Sequence, residues 1–219
     1  MEISFRAVIP SLPFILQGVG VTLQLVIFSI MIGLVLGIVL SLLKISRIKP
    51  LMAVASIYTS IFRGTPLILQ LVLIYFGLPQ LFGVDLGELP SAILALGLNS
   101  AAYISEIIRA GILAVEKGQT EASMALGIPY RNMMQSIILP QAFKNTLPAL
   151  INEFTALTKE SAVVTVTGTA DIMRRSIIVG AQNYRYFETL LIAGVIYYVL
   201  VTGISLVGKY IENKFAVSD

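Results

Sequence analysis

The charges in this chain are clustered, and the stretches between them are long and apolar. No charged residue stands between Arg6 and Lys44, or between Arg63 and Asp85, and residues 89–105 and 189–208 are also charge-free. Crossing a bilayer takes roughly 17–25 apolar residues as a helix. The runs are unbroken and do not alternate, so they fit helices rather than the strands of a membrane barrel. The pattern predicts about five transmembrane helices, near residues 18–43, 51–81, 89–108, 145–166 and 188–208, in a single domain covering residues 1–219. The fourth is the most polar of them. The expected fold is an all-α integral membrane protein. No basic segment and cleavage pattern marks a signal peptide at the start, so the first span is expected to stay.

Composition agrees with this reading. Apolar residues make up 57% of the 219 and charged residues 12%, about half the charged share of a soluble domain. The chain has no histidine and no cysteine, which removes the usual general base and the thiolate metal ligands. No catalytic residue, metal or cofactor is expected. Nucleic acid is not an expected partner either, because the net charge of +3 is small.

Placement of the positive charges orients the spans. Lys44, Arg47, Lys49, Arg109, Lys117, Arg131, Lys144, Lys209 and Lys214 fall on one side, and Arg6, Arg174, Arg175 and Arg185 on the other. The larger group marks the cytoplasm. The N-terminus is then outside, the C-terminus is cytoplasmic, and the connection after the third span is cytoplasmic.

That connection is built for a purpose. Glu116 to Leu126 reads as a short helix of good helix formers. Gly127 suits a left-handed helix end, and Pro129 suits the first turn of the next helix. The second helix should run to about Leu139, with Met133, Met134, Ile137 and Ile138 at helical spacing, until Pro140 breaks or kinks it. Exposed Met and Ile on such a pair suggest a docking surface. An amphipathic element resting on lipid explains the pattern equally well.

Polar residues inside spans are costly and therefore informative. Thr59, Arg63 and Gln70 fall on one face of the second span, where Gly64-Thr65-Pro66 would let the helix bend. Asn99, Tyr103 and Glu106 recur on the third span, with Arg109 in reach of Glu106. Glu153 and Glu160 share a face of the fourth span, about two turns apart, and Lys159 lies to one side. These groups could hold a substrate or pair with one another. The stretch "GISLVGKY" at 203–210 nearly spells a phosphate-binding loop, but it ends on Tyr210 and follows an apolar span, not a strand. Gly33 and Gly37 form a small-xxx-small pattern that suits close packing within the subunit better than dimerisation.

The cytoplasmic connection also carries a longer signature. Glu121-Ala122-Ser123, three residues, Gly127, nine residues and Ile137-Ile138-Leu139-Pro140 resemble the E-A-A…G…I-x-L-P motif of bacterial ABC importer permeases. Ser123 stands where the motif has its third small residue, alanine. "FRGTPLILQL" at 62–71, "LPQAFKNTLPAL" at 139–150 and "LTKESAVV" at 157–164 are similar to the polar amino acid branch of that family. The resemblance implies a type I importer permease in a bacterial cell membrane. It also implies a coupling segment at about 116–140 that docks on an ATPase through Glu121, Ala122, Ser123, Gly127, Ile137, Leu139 and Pro140. Its partners would be two ABC ATPase subunits, a second permease chain and an extracytoplasmic amino-acid-binding protein, all around a lipid bilayer. ATP would be hydrolysed by the partner chain. The substrate would be a polar amino acid, and the paired Glu153 and Glu160 point to a cationic one. The substrate-site candidates are Glu153, Glu160, Arg63, Thr59, Gln70, Asn99 and Tyr103. The competing reading is an ATP-independent channel or an ion-coupled carrier, which would not need the cytoplasmic motif.

Overall fold

A computed structural model describes residues 4–46 and 48–216, and these are helical throughout apart from turns and short connections. Arg47, counted above among the cytoplasmic charges, lies outside the described residues. Two short 3-10 turns lead into α1, Leu12–Ile45. Pro13 starts α1, since its missing N–H costs nothing in a first turn. The next helix, α2, Lys49–Gly64, begins in the same way on Pro50. After a break come α3, Leu67–Val72, a π-helical stretch Leu73–Gly77, and α4, Leu78–Phe82. The two halves of this second span meet at 105°. The expected bend at Gly64-Thr65-Pro66 is therefore a sharp break, and Gln70 does not continue the face that carries Thr59 and Arg63.

α5, Glu88–Leu113, follows a loop containing Gly83 and Gly87, both at positive φ. The short pair after α5 is α6, Lys117–Ala125, and α7, Tyr130–Met133. A second π-helical stretch, Met134–Ile138, joins α7 to α8, Leu139–Glu160, without a gap. Pro140 thus corrects an expectation, because it does not break the chain. Proline removes one helical N–H and crowds the carbonyl four residues back. A π-turn just before it shifts the hydrogen-bond register and relieves that crowding. The same device precedes Pro79 in α4. A 3-10 segment, Ser161–Thr167, then leads to α9, Ile172–Asn183, and α10, Tyr186–Ala216. Asp171 caps α9, accepting from the Arg174 N–H at 2.8 Å.

Three helices are long and apolar enough to cross a membrane, α1 with its leading turns, α5 and α10, and the bent pair makes a fourth candidate. α8 has the length, but its polar residues keep it outside that class. α5 is the central helix. Of its apolar stretch 61% is buried, against 6% for α10, whose apolar surface faces away from the subunit. α1 and α5 meet along a seam of small residues. A β-carbon placed on Gly37 would lie 2.7 Å from Ile104 Cγ2, and one on Gly97 would lie 2.9 Å from Ile32 Cβ. The Gly33/Gly37 pattern is therefore spent within the subunit. Lipid chains are as apolar as leucine, so this fit, rather than exclusion of water, holds the helices together. Leu25, Val26, Leu71, Ala92, Leu96, Leu157 and Val164 fill the main core.

Candidate translocation pathway and coupling segment

The candidate coupling segment is built from its caps. α6 stops because Gly127 adopts φ +68°. Its N–H donates to Met124 O at 3.0 Å, and the Ile128 N–H donates to Ser123 O at 3.0 Å. These two bonds form the Schellman arrangement that glycine permits most cheaply. Pro129 is the N-cap of α7, one position earlier than expected. Ser123 is 3% exposed and donates to Gln119 O at 2.6 Å. Its position therefore takes a small side chain facing inward, while Glu121 and Ala122 face out.

The exposed apolar surface of this segment differs from the one the sequence suggested. Met133 and Ile138 are buried, and Met134 and Ile137 are half-buried. α7 runs straight on into α8, so its apolar stripe turns into the protein. The exposed apolar residues are Met124, Leu126 and Tyr130, around the Gly127 turn. The sequence signal for them was weak, since Met124 lies in α6, Leu126 caps it and Tyr130 opens α7, so no single helical period links them.

The polar residues of the second and third spans close on each other in three rungs. At the lowest, Lys44 of α1 makes a salt bridge with Glu106 Oε1 and donates to Thr59 Oγ1 at 2.6 Å. Arg109 grips the other Glu106 oxygen through Nη2 at 2.8 Å and Nε at 3.0 Å. At the middle rung the Arg63 guanidinium lies over the Tyr103 ring, 5.4 Å from its centre. At the upper rung Gln70 and Asn99 bond to each other at 2.9 Å, and both donate to Phe62 O. Lys44 was read as a loop charge. α1 extends far enough to carry it between helices, where its side chain is 7% exposed.

α8 is different. Glu153 accepts from Ser100 Oγ at 2.6 Å. Among the described residues neither Glu153 nor Glu160 has a salt bridge, and Glu160 faces outward. Ser100 and Tyr103 are three residues apart on α5, so Glu153 and Arg63 reach neighbouring points on one helix. An open cavity of about 380 Å3 lies between α5 and α8, lined by Glu106, Ala110, Gly111, Ala114 and Asn145. An apolar groove of about 350 Å3, bounded by Ile30, Phe154 and Ile204, offers nothing to hold a polar solute. The near-phosphate-loop stretch is an uninterrupted part of α10, with no loop to cradle a phosphate.

Residues 29–217 match the family described as the binding-protein-dependent transport system inner membrane component. The chain belongs to this family. The permease is 57% identical over 219 residues to the arginine transport system permease protein ArtQ of Bacillus subtilis, covering all of both chains. It is 46% identical over 209 residues to a putative glutamine transport system permease protein, GlnP, of Rickettsia felis, covering 95% of this chain and 96% of that one. A solved amino acid ABC transporter with histidines contains a chain that superimposes with a TM-score of 0.93 at 43% identity, over 98% of this chain and 100% of that one. The permease is thus a multi-pass protein of the bacterial inner membrane. Family membership brings an ATPase, a substrate-binding protein and a second permease chain as partners. Permeases of this family have no ATPase motif of their own.

Proposed function

We propose that this permease forms the translocation pathway of an ATP-driven importer for a cationic amino acid, arginine or lysine ahead of glutamine. The charges left over once the rungs are subtracted carry this reading. Thr59, Gln70, Asn99 and Tyr103 are engaged within the subunit, as is Glu106 by two cations. Arg63, Glu153 and Glu160 form no salt bridge among the described residues, although Lys159, next to Glu160 on α8, offsets part of its charge. One positive and two negative groups complement an α-carboxylate, an α-ammonium and a side-chain cation. Two carboxylates in a low dielectric also favour a cation between them, and a guanidinium can bridge to a carboxylate with parallel hydrogen bonds. The arginine permease of Bacillus subtilis, with 57% identity, supports the same choice.

The whole chain acts as one permease domain. At about 1.5 Å per residue, the 22 residues of α8 reach roughly across a bilayer core. They supply the fifth crossing, with the N-terminus outside and the C-terminus in the cytoplasm. Two such chains pair, identical or homologous, and two ATPases dock below on Glu121, Ala122 and the Gly127 turn. ATPase closure draws the coupling segments together and turns the pathway outward, and release turns it inward.

Competition in proteoliposomes tests the substrate. Unlabelled lysine should compete with labelled arginine better than glutamine does, and Glu153→Gln and Glu160→Gln should each lower arginine uptake more than glutamine uptake. Best competition by glutamine would remove the acidic pair as the selectivity element.

A further inference from the structure

We infer that Gln70 and Asn99, which sequence placed among the substrate contacts, are instead positioning residues that aim Arg63 at the α-carboxylate of the cargo. This rests on the cationic amino acid reading above. The starting point is a carbonyl left without its donor. In an α-helix the Phe62 carbonyl would accept from the N–H of residue 66. Residue 66 is proline and has none. The chain also turns away by 105° at this point, so no later backbone N–H replaces it. A bare carbonyl within a membrane is costly.

Two side-chain amides repair the gap. Gln70 Nε2, just beyond the break, donates to Phe62 O at 2.9 Å, and Asn99 Nδ2 of α5 donates to it at 3.1 Å. Both lone pairs of the carbonyl are then used. Gln70 Oε1 accepts from the same Asn99 amide at 2.9 Å, and Gln70 Nε2 also meets Thr65 Oγ1 at 2.9 Å. Gln70 and Asn99 are 7% and 5% exposed, and this inward-turned bonding leaves little for a substrate.

Arg63 is the next residue after the clamped carbonyl. Its guanidinium lies over Tyr103, one turn along α5 from Asn99. This cation–π contact leaves the guanidinium N–H groups without a hydrogen-bond acceptor among the described residues. A guanidinium whose N–H donors are open can make bidentate contact with a carboxylate. The clamp fixes the backbone on which this side chain turns, and the contact with Tyr103 limits where its charged head lies.

The test is equilibrium binding of labelled arginine and of argininamide, which lacks the carboxylate, to the detergent-solubilised permease–ATPase complex without its binding protein. The wild type should favour arginine, and Arg63→Ala should abolish that preference by removing a charged hydrogen bond worth about ten- to a hundredfold. Asn99→Leu keeps the volume, loses the donor and adds no charge, and should shrink the preference about tenfold while argininamide binding holds. Gln70→Met should do the same. Gel filtration of the intact complex checks folding. If Arg63→Ala lowers arginine and argininamide binding equally, Arg63 is not the carboxylate site. If Arg63→Ala acts as expected but the clamp variants lower both ligands equally, the clamp only holds the fold. Either result overturns the inference. Failure of the wild type to bind either ligand, with glutamine bound instead, would overturn the cationic reading first and the positioning role with it.

Discussion

Replacing Lys44 by methionine removes one charge and keeps the stem. Glu106 then loses the salt bridge from α1 but keeps Arg109, its i,i+3 neighbour. Removing one partner of a buried ion pair costs about 3–5 kcal/mol. Glu106 is 23% exposed and Arg109 38%, so water and Arg109 compensate in part, and about 2–3 kcal/mol is expected for Lys44→Met. Glu106→Gln is worse, near the top of that range, because Lys44 is 7% exposed and is left facing Arg109. The double variant removes both buried charges together, and its loss should fall short of the sum by about 2 kcal/mol, the coupling expected of contacting residues. The assay is the midpoint of denaturant unfolding of the purified permease, followed by helicity, for wild type, both single variants and the double. Additive losses would show that no pair energy links α1 to α5. A Lys44→Met protein as stable as wild type would mean that Lys44 snorkels to water, with the glycine seam alone holding α1.

Gly127→Val should cost the left-handed turn about 1–2 kcal/mol, with no steric addition since nothing lies within 4 Å of a β-carbon there. Gly127→Asn, which tolerates that conformation, should restore transport-coupled ATPase activity in proteoliposomes, and equal loss in both variants would rule out a conformational cause. Gly37→Ala must displace Ile104 and should lower the unfolding midpoint by about 1–3 kcal/mol, whereas Gly20→Ala, with open space around it, should not. Leu126→Asp places a charge on the exposed turn and should weaken co-purification of the ATPase while leaving the permease folded. Met133→Asp, a buried position, should instead unfold it.

Much of the fold was legible because bilayer crossing imposes a length and a composition that few other structures share. The break in the second span was legible too, since Gly64-Thr65-Pro66 combines freedom, an extended residue and a missing donor. Its 105° size was not, because that angle is set by packing against α5. Pro140 misled for a physical reason. A proline rule written for α-hydrogen bonding does not foresee a π-turn that absorbs the defect one turn earlier. Met133 and Ile138 misled for another. Periodicity tells which residues share a face, and it is silent on whether that face meets solvent or the protein's own core.

The candidate site shows the same boundary more sharply. Helical spacing brought Asn99, Tyr103 and Glu106 onto one face, but a polar residue in a membrane is stable for either of two reasons. It has a partner in the protein, or it awaits one from outside. Sequence gives both kinds the same signature. Only the partner separates them, and the partners here come from far along the chain: Lys44 for Glu106, the Phe62 carbonyl for Asn99, Ser100 for Glu153. A carbonyl is also invisible to any reading of side chains, although Pro66 four residues later announces that it lacks a donor. Locating such orphaned carbonyls from proline positions, and then seeking an amide within reach, would have assigned Gln70 and Asn99 before any coordinates. After that subtraction Arg63 and Glu153 still carry a charge with no salt bridge among the described residues, and on the proposed reading a cargo of opposite charge would meet their cost inside a bilayer.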